Sequence, residues 1–439
     1  MRVLAKAIAQ ICRERPGEPC EVLGWVHRIR KLGGITFIIL RDRSGILQLL
    51  LSETREVDIS NLTLESAVQV VGVPAWNEKA PGGVELQVHT LACIARAASD
   101  LPYQVNAEPG KIGLEAILDH RALSLRNPKI QAIFKVQSTI IEAFAQYLRG
   151  QDFTEIKTSK LVSGGTEGGA ELFEVEYFDK KVYLAQSPQI YKQLMVASGL
   201  ERVFEVAPAY RAEKHDTPRH LNEYVSLDVE MAFIASEQDL IDLEKGILSH
   251  IFTEVARKNA GDLALWNAQV PDAQGVSQAP IIPYEEALKI ANAESASGNQ
   301  KPSARIFDIN PEVERLLCNW ALREKGTDLV FVNEFPRRYR PFYTYPSDTT
   351  RTMSFDALFR GLEITTGGRR QHDYKALLEV LPKFGLKEED IAGYRVFQYG
   401  CPPHGGFALG CERLTQKILG LGNVKEASLF PRDRKRIKP

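Results

Sequence analysis

Two hydrophobic periodicities divide the chain. From Cys20 to about Ala98, apolar and polar residues alternate in short runs, "CEVLGWVHRI", "GGITFIILRDRSG", "ILQLLLS", "AVQVVGVPAW" and "GGVELQVHTLACI", separated by glycine-rich or charged turns. Successive side chains of a strand point to opposite faces, so this spacing predicts five or so half-buried strands that close into a small barrel. Leu101, Pro102 and the polar stretch to Gly110 read as a linker. In "IQAIFKVQSTIIEAFAQYLRG" the period changes. Ile130, Ile133, Phe134, Ile140, Ile141, Phe144 and Leu148 recur at steps of mostly three and four, which predicts an amphipathic helix closed by Gly150.

Beyond Phe153 strand and helix patterns mix. The stretch "VFEVAPAYRAEKHDTPRHLNEYVSLDVEMAF", residues 203–233, reads as a hairpin. Val225, Leu227, Val229 and Met231 fall on one face of its second strand, and Tyr224, Ser226, Asp228 and Glu230 on the other. Arg211 and Glu213 are expected to share a face of its first strand. The loop between carries Lys214, His215, Arg219 and His220, a cationic set suited to a polyanion. Hairpins outnumber strand-helix-strand units, so the expected class is α+β, a mainly antiparallel sheet flanked by helices behind a small barrel. The barrel type expected from the strand count is the oligonucleotide-binding (OB) fold. "AESASGNQKPSA" reads as an exposed loop.

Composition adds little: 439 residues, 44% hydrophobic and 25% charged, with a net charge of −1, describe a globular chain long enough for two or three domains. A nucleic-acid partner must then be met by local basic patches. Two exist: Arg28, Arg30, Lys31, Arg41 and Arg43 in the barrel, and "PRDRKRIKP" at the end. The six cysteines show no CxxC spacing, which reads as reduced thiols in a cytoplasmic protein. The charged N-terminus does not read as a signal peptide, and no apolar stretch approaches the length that spans a membrane.

The chemistry concentrates late in the chain. "FDALFRGLEITTGGRRQHD" sets Asp356 seven residues before Glu363, with Arg360, Arg369 and Arg370 near them, and "HGGFALGCERL" runs a glycine-rich strand into a helix beginning about Glu412 and Arg413. Carboxylate pairs with fixed arginines are what nucleotidyl chemistry on a magnesium nucleotide requires: hard oxygen ligands for the metal and cations for the phosphates.

In this order, these segments resemble the class II aminoacyl-tRNA synthetases, close to the aspartyl and asparaginyl branch, over nearly the whole chain. "YRAE" with "TPRHLNEY" looks like the second signature motif of that class, "GGFALGCERL" like the third, and "LDHRALSLRNP" like the hinge of the branch. The resemblance implies an OB-fold anticodon-binding domain over 1–102, a hinge over 103–130 and a class II catalytic domain over 131–439. Two departures stand out: Ser159 where the first motif usually has proline, and Ala408 where many relatives have glycine. The implied reaction joins an amino acid to ATP as an adenylate, with Mg2+, and passes it to tRNA. Arg211 would bridge carboxylate and α-phosphate, Glu213 would accept from the adenine amino group, and Tyr224 and Arg413 would sandwich the base. Arg219 and His220 would meet the pyrophosphate or the tRNA end, Gly410 would line the nucleotide site, and Asp356, Glu363 and Thr366 would hold the metal.

For the amino acid, the resemblance implies L-aspartate, with Lys192 and Arg370 as cations, Asp228 holding Lys192, and Glu167 and Gln189 at the α-amino group, Thr366 lying nearby. For the tRNA it implies anticodon contacts from Arg30, Phe37, Gln48 and Glu85. His27, where aspartate-only relatives of the archaeal type carry a bulky tryptophan, suggests that both tRNA(Asp) and tRNA(Asn) are charged, since a neutral imidazole has one donor and one acceptor and need not reject either base, and Pro81 would shape the opposing loop in the same permissive way. A homodimer and a partner amidotransferase for the mischarged product would follow. The competing readings are an asparaginyl enzyme, a non-catalytic RNA-binding relative, and a ligase acting on a free amino acid.

Overall fold

The computed structural model describes residues 1–52, 58–165, 172–297 and 306–438. They form two compact units, Met1–Pro128 and Lys129–Pro439.

The first unit is a barrel of β1 (Cys20–Leu32), β2 (Ile35–Arg41), β3 (Ile46–Ser52), β4 (Ala67–Trp76) and β5 (Val84–Ala95). Pairing of β1 with β4 closes it, so among the described residues no long edge is left open. The period-two pattern sends Val22, Val26, Ile38, Leu40, Leu49, Val70 and Leu86 inward, each wholly or almost wholly buried. Past Val26 the pairing of β1 with β2 slips, and His27 occupies the resulting bulge.

The second unit is built on an eight-stranded sheet. Its strands in chain order are β6 (Thr154–Glu155), β7 (Arg202–Tyr210), β8 (Glu223–Ala232), β9 (Ile281–Pro283), β10 (Leu329–Asn333), β11 (Ser354–Phe359), β12 (Leu362–Arg370) and β13 (His404–Gly410). In space they run β9-β10-β11-β12-β13-β8-β7-β6, antiparallel except for the short outermost strands. The helix at Pro128–Arg149 packs Phe144 edge-on against Phe204 of β7, ring centroids 5.8 Å apart, and the helix at Glu237–Lys258 adds Ile247, Ile251 and Phe252 to the same core. Leu227 and Val229 of β8 and Phe407 and Leu409 of β13 face that core. Alternation therefore turns Ser226, Asp228, Glu230 and Ala408 to the opposite face.

The hairpin of β7 and β8 forms in register, Val203 opposite Glu230, but β7 ends at Tyr210. Arg211 and Glu213 thus lie beyond the strand, in a tight turn in which Glu213 N donates to Arg211 O at 2.7 Å. The loop expected over 293–304 is helical as far as Ser297, and its remainder lies outside the described residues. Among the described residues no helix is long and apolar enough to cross a membrane.

Glu244, on the core side, is fully buried, and among the described residues neither carboxylate oxygen has a hydrogen-bond partner. Burial pushes its pKa up to about 8, with the nearby Thr365 hydroxyl offsetting part of the rise and Asp356 adding to it. A raised carboxyl pKa favours folding below the unfolded value of about 4.5 and loses that contribution as pH climbs to the folded value, at about 1.4 kcal/mol per unit. Glu244→Gln is therefore expected to melt higher than the wild type at pH 8 and about equally at pH 4.5. Equal melting shifts at both pH values would show that Glu244 is not held protonated.

Candidate active site

The polar face of the sheet carries two adjoining hollows, of about 360 Å³ and 80 Å³, which share Arg211, Tyr224, Ser226, Arg340, Thr366 and Ala408. A larger concavity of about 590 Å³, between the helix at Pro128–Arg149 and β6, is a different surface: its Arg149 and Lys157 are both paired with Glu155.

The small hollow ends on a buried charge network. Lys192 is 2% exposed, and its Nζ lies 3.0 Å from Asp228 Oδ1, 3.4 Å from Glu230 Oε2, and 3.3 Å from the carbonyls of Val229 and Phe407. Arg370 donates to Glu230 Oε1 at 3.1 Å, Gln189 Oε1 at 3.1 Å and Gly406 O at 2.9 Å. Burial works to protonate Glu230, but Arg370, Lys192 and His404 outweigh it and hold the carboxyl below its usual range. Gly406 makes room for this network, since a Cβ there would stand 2.0 Å from Val229 O and 2.3 Å from Glu230 Oε2. Asp228 Oδ2 and Gln189 Nε2 are buried with no partner among the described residues. Buried polar groups are normally satisfied, so one orphan acceptor and one orphan donor beside a small hollow fit a ligand bearing both ammonium and carboxylate groups.

The large hollow is lined by Arg211, Arg219, Arg340 and Arg413 against Glu213, Glu363 and Glu412. Asp356 lines neither hollow; it is buried behind Arg340, a lining residue from which it accepts at 2.8 Å. Burial pushes its pKa up to about 6, Arg340 opposing and Glu363 adding to the rise. Thr366 Oγ1 donates to Glu363 Oε1 at 3.4 Å, and Arg413 donates to the same oxygen at 3.2 Å. Two mutually repelling carboxylates with a hydroxyl beside them fit Mg2+, which takes one or two carboxylates and completes its shell with water and phosphate. Burial, and then Arg413, lower the His220 pKa, so its ring is neutral near pH 7, with Nδ1 2.6 Å from Thr217 Oγ1. Burial also pushes Glu412 up to about 7, even though its carboxylate accepts from Val225 N.

Of the residues singled out in the sequence, the large hollow collects Arg211, Glu213, Arg219, His220, Tyr224, Glu363, Thr366, Gly410 and Arg413, and the small one Gln189, Asp228 and Arg370. Lys192 stands behind the small hollow, with Asp228 and Arg370 in front of it. Tyr224 has Arg211 over its ring at 5.6 Å, whereas Arg413 rests on Glu363. Glu167 lies outside the described residues. Sequence reasoning gave no site role to Arg340, Glu230 or Glu412. The run "PRRYRPF" was a signal for the first. The second was already placed by the strand period on the face of Asp228, two residues away, but its pairing with Arg370 and Lys192 comes from other elements.

On the barrel, register sets Arg28, Ile39, Gln48 and Glu85 in one row and Arg30, Phe37 and Leu50 in the next, on the same outer face. Glu85 accepts from Gln48 at 2.9 Å and from Asn77 at 2.8 Å. Pro81 opens the turn before β5. His27 Nδ1 is 3.1 Å from an Arg41 nitrogen, and Arg41 is itself clamped by both oxygens of Glu65. Arginine only donates, so Nδ1 accepts, and the neutral ring carries its proton on Nε2. Of the donor and the acceptor of the neutral His27 ring, the acceptor is thus already engaged by Arg41.

A nucleotide-sized, arginine-lined cleft on an antiparallel sheet, paired with a closed nucleic-acid-binding type of barrel, defines a class, and the chain belongs to the class II tRNA synthetases (D, K and N), which it matches over residues 113–434. Residues 21–94 match the OB-fold nucleic acid binding domain. Among similar proteins, the aspartate--tRNA(Asp/Asn) ligase of Thermus thermophilus is 45% identical over 441 residues, covering 100% of both chains. The aspartate--tRNA(Asp) ligase of Pyrococcus horikoshii is 39% identical over 98% of both. The asparaginyl-tRNA synthetase of Pyrococcus horikoshii, solved with asparaginyl-adenylate, superposes with a TM-score of 0.86 at 30% identity over 96% of each chain.

Proposed function

We propose that this synthetase is an aspartate--tRNA ligase that activates L-aspartate with ATP and charges both tRNA(Asp) and tRNA(Asn). The observation that carries the amino-acid assignment is the buried network of Lys192 and Arg370 with Asp228 and Glu230 at the end of the small hollow. A side-chain carboxylate needs cations already fixed in place, and fixed cations in a dry site need their own counter-charges. Arg370 on the wall, backed by Lys192, receives the substrate side chain, while the orphan Asp228 Oδ2 accepts from its ammonium group.

Arg211 borders both hollows, so its guanidinium meets the α-carboxylate on one side and the α-phosphate on the other, and it stabilises the charge that gathers as the carboxylate oxygen attacks phosphorus. Arg219 and His220 take the side of the departing pyrophosphate or the tRNA end, and Arg413 lies over the base opposite Tyr224. Asp356, Glu363 and Thr366 would hold Mg2+, which when bound neutralises phosphate charge. Glu213 orients the adenine, and Tyr224 supports it with its aromatic face. A homodimer, a cytoplasmic setting and an amidotransferase acting on the mischarged product belong to the same reading. Aspartate-dependent pyrophosphate exchange far above that with asparagine is the expected result, and the reverse preference would replace this assignment with the asparaginyl one.

Relaxed tRNA choice rests on the barrel. Phe37 stacks on an anticodon base, a contact worth about 1–3 kcal/mol, and Gln48 with Glu85 reads the central uracil. The two tRNAs differ at the third anticodon base, cytosine or uracil, which present an amino donor and a carbonyl acceptor at one edge. The small His27 ring, drawn back onto Arg41, leaves that edge room and rejects neither base. His27→Trp is expected to reduce charging of tRNA(Asn) at least tenfold relative to tRNA(Asp), read from kcat/KM on the two transcripts. An unchanged ratio would remove His27 from the explanation.

A further inference from the structure

We infer that Glu314 is a positioning residue for the nucleotide site: it holds Arg219 at the cleft wall and fixes the strand that carries Glu363. The inference rests on the ATP reading of the large hollow. Glu314 lies in the first turn of the helix at Pro311–Lys325, outside every segment that the sequence singled out, and it is 4% exposed. Both of its oxygens accept from one Arg219 nitrogen, each at 2.7 Å, and Oε2 also accepts from Glu363 N at 2.9 Å. Arg413 closes the circuit on the same residue, donating to Glu363 O at 3.0 Å and to its carboxylate. One carboxylate thus ties the loop cation to the backbone of the proposed metal ligand.

The helix is registered against that strand independently of these bonds. Gly361, in the turn before β12, has φ +74, and a Cβ there would stand 2.8 Å from Arg315 Cγ and 3.2 Å from Arg315 Cα. The turn and the helix approach so closely that Glu314 has little freedom to settle elsewhere. At the start of the helix, capped by Asn310 with Pro311 following, its negative charge is also favoured by the helix dipole. Without Glu314, a guanidinium on a loop between β7 and β8 would have to be ordered by ATP itself, and that ordering would weaken binding.

Binding of Mg·ATP by the full-length protein, measured by calorimetry without amino acid, tests this. Glu314→Gln keeps an acceptor for Glu363 N and removes the charge that holds Arg219; it is expected to weaken ATP binding about tenfold or more, while the KM for aspartate in pyrophosphate exchange changes less than about threefold. In an Arg219→Ala background the same substitution should cost less than about twofold, because residues acting through one another are not additive. ATP binding within twofold of the wild type in Glu314→Gln, or losses that multiply in the double variant, would overturn the inference. So would parallel losses for ATP and aspartate, the mark of a merely structural residue. A wild-type protein that binds no Mg·ATP would overturn the ATP reading and the inference with it. The titration contains no amino acid, so a failure of the aspartate assignment in exchange is read separately from all of these outcomes.

Discussion

Lys192→Met is expected to lose aspartate-dependent pyrophosphate exchange by roughly two to four decades. The side chain is 2% exposed and bonded to Asp228, close to Glu230 and two carbonyls. Removing it leaves the buried Asp228 carboxylate without this ion pair and Glu230 with the Arg370 pair only. Loss of one partner of a buried charged pair costs about 3–5 kcal/mol, which sets the expected range at about 1.36 kcal/mol per decade. Calorimetric binding of ATP separates a lost pocket from a lost fold: the variant should bind ATP normally. Near-normal exchange with aspartate would remove Lys192 from the pocket.

Glu363→Gln is expected to abolish exchange, by roughly a thousandfold or more (about 4 kcal/mol), at any practical magnesium concentration. An amide is a weaker ligand for a hard cation than a carboxylate. The structure adds a second reason, since Glu363 Oε1 also anchors Arg413. Filter binding of tRNA beside the exchange assay is decisive. Retained tRNA binding with lost exchange is the expected pair of results, whereas exchange within tenfold of the wild type would dissociate Glu363 from the reaction.

What the sequence revealed followed what is periodic. The barrel strands and the helix at Pro128–Arg149 bury alternating or three-four-spaced residues against one partner surface, so each reads from its own segment. The hairpin of β7 and β8 was equally plain, yet its first strand stops at Tyr210, because the loop that follows is shaped by long-range bonds such as Asn222 N to Arg432 O. The site was legible where charge interrupts an apolar run, as at Asp228, Asp356 and Glu363. Glu314 was not, because in an amphipathic helix a lone glutamate looks like any solvated one, and only tertiary packing brings it onto Arg219. Arg340 illustrates the same limit: it lies outside any strand, and its importance comes from Asp356, which β11 supplies.

The central claim is tested most directly by aminoacylation of purified tRNA(Asp) and tRNA(Asn) transcripts by the wild-type protein, with aspartate and with asparagine in turn. Aspartate should be attached to both transcripts, with kcat/KM values within about a hundredfold of each other, a difference below roughly 2.7 kcal/mol, and asparagine to neither. Attachment of asparagine, or aspartylation of tRNA(Asp) preferred by more than that margin, would contradict it.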